Sequence, residues 1–213
     1  MKKKILFDLD GTLTDSGEGI INCAVYALQK FALPIPPREE LRKFVGPPLH
    51  ESFMRCGVPA DRAEEAVALY RERYVPVGMF ENTPYPGIRE VLEALKAEGY
   101  TLYVASSKPE WMCVEILKHF GLDGYFDQIC GATMDTSRTN KEAVIAYLLE
   151  LSGASGNLIM VGDTKFDVIG AAFHGIPTIG VSWGYGLAEE MEAAGAVSIA
   201  YSMEQLLSMI KMA

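Results

Sequence analysis

Segment 8–14 (DLDGTLT) places two carboxylates one residue apart, directly after the apolar run 5–7 (ILF). Alternate residues of a strand point to the same face, so Asp8 and Asp10 are predicted to share one side if strand geometry continues that far. A glycine turn follows, and the whole string indicates phosphoryl chemistry with one substrate and one metal ion. An Asp-x-Asp pattern alone also occurs in plain turns, in metal-dependent glycosyl transfer and in calcium loops.

Three later segments carry polar groups where an apolar run ends. Segment 101–108 (TLYVASSK) is predicted to be a strand that ends in hydroxyls, and segment 158–167 (LIMVGDTKFD) a strand that ends in acids. Lys141 opens a predicted helix between them. Ligands of open parallel sheets bind outside the carboxyl ends of the strands, so these groups are predicted to meet in one crevice. The residues at such ends are Asp8, Asp10, Ser106, Ser107 and Asp163.

The elements that position these groups follow an alternating pattern from about residue 87 onward. Apolar residues at helical spacing in 88–95 and a stop at Gly99 predict one helix, and strands and helices then alternate to residue 181. This rhythm predicts an α/β fold, a Rossmann-like parallel sheet with helices on both faces. The predicted domains are an α/β catalytic core (1–14 and 83–213) and an all-helical cap (15–82) inserted after the first strand.

The inserted segment reads as helices only, punctuated by proline and glycine. Its first helix is predicted to begin at Asp15, with Glu18 three residues later completing a capping box. The connectors near residues 11–17 and 81–87 are either a hinge or plain turns.

Composition narrows the class of partner. The chain has 213 residues and a net charge of −9, which argues against binding a nucleic-acid polymer. A small anionic substrate stays compatible with that charge, because a divalent cation and a lysine reverse the field inside one cleft. The apolar run after Lys4 is too short for a signal peptide, and no stretch reaches transmembrane length, so a cytoplasmic protein that binds no membrane is expected. Four cysteines without paired spacing are predicted to be free thiols.

Taken together, segments 8–14, 101–108 and 158–167, with Lys141, resemble the four motifs of the haloacid dehalogenase superfamily of phosphohydrolases, in the order of that family. A small helical cap between the first and second motifs is also typical of it. Segments 138–141 (RTNK) and 181–186 (VSWGYG) resemble the 5′-nucleotidase-like branch, close to phosphoglycolate phosphatases. Many relatives carry Lys-Pro-x-Pro at the third motif, and this chain does not.

The resemblance implies covalent hydrolysis of a phosphate monoester. Asp8 is the expected nucleophile, and Asp10 the expected acid and then base. Because acids repel phosphate, we expect Mg²⁺ bound by the side chains of Asp8 and Asp163 and by the backbone carbonyl of Asp10. Asp167 is expected to bind Mg²⁺ directly or through water. For Asp163 and Asp167 the alternative role is favourable charge at a helix N-terminus.

Contacts to the phosphate are expected from Ser106, from Lys141 and from backbone N–H groups. Arg138 competes with Lys141, because a guanidinium also binds phosphate well. Ser106 alternatively caps the next helix, and Lys141 alternatively lies in solvent. The backbone donors are expected at Leu9, Asp10 and Ser107.

On the substrate side, Gly46, Pro47 and Pro48 either face the substrate or form a turn. Trp183 either stacks on a base or packs between core and loop. The expected partner is a small phosphorylated metabolite; 2-phosphoglycolate, a nucleoside monophosphate, a sugar phosphate and pyrophosphate all stay open, as does the oligomeric state. Alternative functions are a phosphomutase or pyrophosphatase of the same superfamily, or an inactive binding module on this fold, which the complete set of acids disfavours.

Overall fold

The computed structural model describes residues 3–135 and 137–213. Within them, the strands are β1 (Lys4–Phe7), β2 (Thr14–Asp15), β3 (Thr83–Pro84), β4 (Thr101–Pro109), β5 (Gln128–Ala132), β6 (Leu158–Gly162), β7 (Thr178–Val181) and β8 (Ser198–Ala200). The α-helices are α1 (Gly17–Lys30), α2 (Arg38–Leu41), α3 (Leu49–Arg55), α4 (Ala63–Tyr74), α5 (Ile88–Ala97), α6 (Glu110–His119), α7 (Lys141–Ser152), α8 (Lys165–Phe173), α9 (Ala188–Ala193) and α10 (Met203–Met212).

Six of the strands form one sheet in the order β5-β4-β1-β6-β7-β8, with parallel pairing throughout. β1 lies between β4 and β6, and its last residue, Phe7, pairs with Val104 and Val161. Because these three strands are parallel neighbours, the residues that follow them lie at one edge of the sheet. The predicted α/β class is confirmed, and β8 extends the sheet beyond the last predicted strand.

The chain divides into two compact units. The α/β unit comprises the chain up to Thr14 together with Pro84–Ala213, and the helical unit comprises Asp15–Thr83. The helical unit contains α1 to α4 and packs an aromatic core in which the Phe53 ring lies 5.1 Å from that of Phe44 and 6.3 Å from that of Tyr70.

The predicted start of the first inserted helix is wrong. Asp15 belongs to β2, and α1 begins at Gly17 with Ser16 as its N-cap and no side-chain cap. The Asp15 carboxylate instead accepts a hydrogen bond of 3.1 Å from the Gly17 N–H, a local turn contact that competes with capping. Within the described residues, no helix is both long enough and apolar enough to cross a membrane.

Candidate active site

Three neighbouring strands deliver buried polar side chains to the same edge of the sheet. Asp8 follows β1 directly, and its N–H donates to the Val161 carbonyl at 2.9 Å, so strand pairing fixes its backbone. Asp163 follows β6 directly and is fully buried, and Ser106 lies in β4 with 2% exposure. The sheet therefore brings together three polar groups that are far apart in sequence.

A carboxylate cluster, consisting of Asp8, Asp163 and Asp167, forms at this edge. One oxygen from each residue lies within 4.8 Å of the others, and all three side chains are buried. Burial of several like charges is unfavourable unless cations accompany them. The electrostatics of the cluster therefore depend on which cations lie beside it.

Lys141 supplies one such cation from the first position of α7. Its ammonium lies 2.9 Å from Asp8 Oδ1 and 2.7 Å from Asp167 Oδ1, and it donates to the Ala105 carbonyl at 2.8 Å. Burial alone would lower the pKa of Lys141, but the two carboxylates outweigh burial and raise it, so the side chain stays charged. The predicted solvent-exposed alternative for Lys141 is wrong, because the side chain is only 4% exposed.

Gly170 gives Lys141 the space for this position. A Cβ at residue 170 would lie 2.7 Å from the Lys141 Cβ, closer than two carbon atoms pack. The sequence Val-Ile-Gly-Ala in α8 therefore allows the N-terminus of α7 to approach, and the lysine stem runs past the glycine into the cluster.

Neutral donors hold Asp163. The Tyr185 N–H donates to Oδ2 at 2.8 Å, and the Thr12 hydroxyl donates to Oδ1 at 3.3 Å. Cβ atoms added at Gly11 or Gly184 would lie 2.1 and 2.3 Å from this carboxylate, so glycine is required at both positions. Burial raises the pKa of Asp163 well above its ordinary value, and the charges of Asp167 and Asp8 raise it further.

Asp167 combines a helix-capping role with membership of the cluster. Its Oδ2 accepts from the Thr164 N–H at 3.0 Å and from the Thr164 hydroxyl at 2.9 Å, which completes a capping box at the start of α8. Its Oδ1 faces Lys141. The two roles foreseen for this residue are therefore compatible, since each uses a different oxygen.

Asp8 contacts Lys141 and a backbone N–H group through the same oxygen. Its Oδ1 accepts the Leu9 N–H at 2.7 Å in addition to the Lys141 contact. Burial raises the pKa of Asp8, Lys141 opposes that shift, and Asp167 adds to it.

These features fit a divalent cation. Three buried carboxylates face one ammonium group, so the cluster keeps an excess of negative charge, and its donor atoms are hard oxygens of the kind that Mg²⁺ prefers. The carboxylate cluster can therefore hold a metal ion. The Asp10 side chain is outside this group, and the ligand expected from Asp10 is its backbone carbonyl.

Asp10 is paired with a residue that sequence reasoning did not single out. Lys108 Nζ lies 2.7 Å from Asp10 Oδ1 and 2.6 Å from Oδ2. Two of the residues expected to donate backbone hydrogen bonds to phosphate differ in their surroundings. The Leu9 N–H already donates to the Asp8 carboxylate, whereas Ser107 is exposed. Ser106 Oγ accepts a long 3.4 Å hydrogen bond from the Lys108 N–H.

Arg138, the predicted competitor of Lys141, is held elsewhere. Its guanidinium donates to Glu110 Oε2 at 2.7 Å and to the Gly131 carbonyl at 2.7 Å, and it lies 3.7 Å from the centre of the Tyr147 ring. These contacts tie the segment after β5 to α6 and α7. Arg138 therefore stabilises the local fold. The lysine that contacts the carboxylate cluster is Lys141.

Trp183 packs inside the α/β unit. Its indole N–H donates to the Thr12 carbonyl at 3.2 Å, and its ring lies 6.3 Å from that of Tyr85. In the helical unit, Gly46 has a positive φ of 102°, and Pro48 precedes α3 as its N-cap. Pro47 lies between them in the same bend.

Sequence reasoning missed three residues that contact the acids, namely Thr12, Lys108 and the Tyr185 backbone. Thr12 lies inside the first motif, and Lys108 follows the hydroxyls of the second. Both signals were present in the sequence, but only the fold assigns their partners.

Comparison with known proteins agrees with this geometry. A family model described as haloacid dehalogenase-like hydrolase matches residues 5–181. The 5′-nucleotidase of Pseudomonas aeruginosa is 45% identical over 191 residues, which cover 89% of this chain and 86% of that protein. Tyrosine-protein kinase PtkA of Mycobacterium tuberculosis is 40% identical over 199 residues, covering 93% of this chain and 68% of that protein.

Solved structures lead to the same family. The crystal structure of a predicted phosphatase from Clostridium acetobutylicum has 43% identity and a TM-score of 0.93, and each chain is covered completely. Other relatives are named phosphoglycolate phosphatase and pyrophosphatase. The resemblance inferred from the four motifs is confirmed, and the chain belongs to the haloacid dehalogenase-like hydrolase family.

Proposed function

We propose that this hydrolase cleaves a small phosphate monoester through a phosphorylated Asp8. The observation that carries the proposal is the carboxylate cluster beside the carboxyl end of β1, in which Lys141 contacts Asp8 and Asp167. The names of its relatives, which include 5′-nucleotidase and phosphoglycolate phosphatase, support phosphate esters as the substrate class.

In the first step, an Asp8 oxygen attacks phosphorus and the bond from phosphorus to the ester oxygen breaks. Asp10 donates a proton to the departing oxygen, which leaves as an alcohol. Asp8 then carries the phosphoryl group as an acyl phosphate.

In the second step, water attacks the same phosphorus atom. Asp10, now a carboxylate, accepts a proton from that water, and the bond between phosphorus and the Asp8 oxygen breaks. Inorganic phosphate leaves, and both aspartates return to their starting state.

Charge on the transferring group is the main obstacle in phosphoryl transfer. Lys141 and Ser106 are proposed to bind its oxygens, together with the N–H groups of Leu9, Asp10 and Ser107. Asp8, Asp163 and the Asp10 carbonyl are proposed to hold Mg²⁺, with Asp167 directly or through water. When bound, the metal neutralises negative charge shared by the phosphate and the acids.

The physiological ester is proposed to be a small metabolite such as a nucleoside monophosphate or 2-phosphoglycolate. Contacts from Gly46, Pro47 and Pro48 to the substrate stay a prediction. Trp183 is already engaged by Thr12 and Tyr85, which favours packing over stacking on a base.

The test is a phosphate-release screen on the purified chain with Mg²⁺, covering nucleoside monophosphates, 2-phosphoglycolate, sugar phosphates and pyrophosphate, with kcat/KM for each. Activity that is lost in EDTA and restored by Mg²⁺ is expected. No release from any ester would defeat the proposal, and release that EDTA does not affect would defeat the metal assignment.

A second candidate is transfer of the phosphoryl group to a hydroxyl instead of water. The relative named tyrosine-protein kinase favours it, and a phosphomutase would use the same nucleophile. Incubation with ³²P-labelled donor separates the candidates, because hydrolysis gives labelled phosphate and transfer gives a labelled isomer or labelled protein.

A further inference from the structure

We propose that Lys108 is a positioning residue, which holds the Asp10 carboxylate in the orientation needed for proton transfer. This inference rests on the proposed function, since it concerns the residue expected to exchange protons with the leaving group and water. It assigns a task to a side chain that the reaction scheme does not otherwise use.

Both oxygens of Asp10 contact one ammonium group, at 2.7 and 2.6 Å. Rotation of a carboxyl group about its last side-chain bond is only weakly restricted by its own chemistry. Two contacts to the same nitrogen restrict that rotation. An acid or base must lie within about 2.6–3.2 Å of the proton that it exchanges, so its orientation affects the rate.

The backbone of Lys108 is itself fixed. β4 advances from Ala105 to Pro109 while β5 advances only from Cys130 to Ala132, which makes segment 106–108 a bulge. Bulges redirect side chains and are frequent beside active sites. A Cβ at Gly131 would lie 2.5 Å from the Lys108 carbonyl, so glycine at that position allows the bulge to pack.

The burial of this ion pair separates it from ordinary surface pairs. The Lys108 and Asp10 side chains are 7% and 18% exposed, whereas those of Lys96 and Asp127, which also form a pair in the α/β unit, are 34% and 44% exposed. Lys96 therefore provides a matched control, in which the same substitution removes a lysine–aspartate contact away from the carboxylate cluster.

The experiment compares two substrates that differ in their need for proton donation. An alkyl ester, glycerol phosphate, has a poor leaving group, and an aryl ester, p-nitrophenyl phosphate, has a good one. For Lys108→Met we expect kcat/KM to fall about 100-fold on the alkyl ester and less than about 10-fold on the aryl ester. Lys108→Arg should recover most of the loss, and Lys96→Met should change neither value.

A purely structural role would lower both kcat/KM values by the same factor. A smaller fraction of correctly folded enzyme reduces the measured activity equally on every ester. Equal losses on the two esters, or no loss on either, would overturn the inference. If Lys108→Met does not fold, Lys108→Gln takes its place and must show the same selective loss. A wild-type protein inactive on both esters and throughout the screen would refute the proposed function itself, whereas an active wild type with unselective variants refutes only the role of Lys108.

Discussion

The α/β unit buries charged side chains, whereas the described residues of the helical unit bury only uncharged polar ones. The α/β unit buries three aspartates and Lys141 beside one another. In the described residues of the helical unit, the buried polar side chains are Ser16, Ser52 and Asn82, none of which carries a carboxylate or ammonium group. Its charged pairs are largely exposed, as in Arg62 with Glu65.

The two interiors therefore contribute differently to the free energy of folding. The helical unit packs aromatic rings against each other, which contributes stability through apolar burial. The α/β unit instead buries carboxylates of like charge, which lower its stability unless a bound cation neutralises them. Substitutions should therefore affect activity in one unit and stability in the other, with one informative exception.

The largest expected effect is on activity. Asp8→Asn removes the nucleophile, and turnover should fall by at least about 1,000-fold with unchanged folding. Phosphate release on the best ester of the screen measures it. The same substitution in the helical unit, Asp61→Asn at an exposed position, should leave turnover unchanged. Full activity in Asp8→Asn would contradict the covalent scheme.

The second effect concerns packing in the helical unit. Phe53 is fully buried between Phe44 and Tyr70, so Phe53→Ala should lower the free energy of unfolding by about 3–5 kcal/mol. Urea denaturation followed by circular dichroism measures this change. Met54→Ala, on the same helix but 40% exposed, is the control and should cost less than about 0.5 kcal/mol. A loss below 1 kcal/mol for Phe53→Ala would mean that this aromatic core contributes little.

The exception is an acid whose removal should stabilise the protein. Asp163 is buried among neutral donors and beside other acids, so Asp163→Asn should raise the unfolding free energy in EDTA by about 1–3 kcal/mol while abolishing activity. Added Mg²⁺ should stabilise the wild type and not the variant. Thermal unfolding with and without Mg²⁺ measures both effects.

Asp135→Asn is the control for that exception within the same unit. Hydrogen bonds from Thr133 and Ser137 lower the pKa of Asp135 to about 2, so its charge is already well accommodated. Removing it should not stabilise the protein. Destabilisation by Asp163→Asn in EDTA would show that the cluster is not under electrostatic strain.

The smallest effect depends on pH and tests the helical unit. A hydrogen bond from Arg73 lowers the pKa of Glu81, so the folded state favours the ionised form. The pair therefore contributes fully above the ordinary Glu pKa of about 4.3, and its contribution is lost as pH falls through the lowered value. Glu81→Gln should cost about 1 kcal/mol or less at pH 7, and this cost should shrink as pH falls below about 4.3. A cost that does not shrink at low pH would contradict this sign.

Local sequence determined the parallel sheet, the helical insert and the acids at the strand ends. An apolar run followed by Asp8, or by Asp163, is readable without tertiary information, because a parallel strand buried on both faces must be apolar and must end where polar groups begin. The helix periodicity of 88–95 is equally local, and Ile88, Val91, Leu92 and Leu95 are all buried. By contrast, the predicted helix start at Asp15 is wrong, since extended backbone and helix capping are both available to an aspartate two residues before Gly17.

Only the tertiary structure decided the partners of those acids. Lys108 and Asp10 are 98 residues apart, and Tyr185 reaches Asp163 across 22 residues through a backbone N–H that carries no sequence signature. The sequence favours Lys141 as the phosphate-binding cation but leaves Arg138 as a competitor. The structure separates them, because Arg138 contacts Glu110 and Tyr147, whereas Lys141 contacts Asp8 and Asp167. Spacing along the chain fixes which groups end a strand, but the distances between charges depend on how neighbouring strands, bulges and glycines pack.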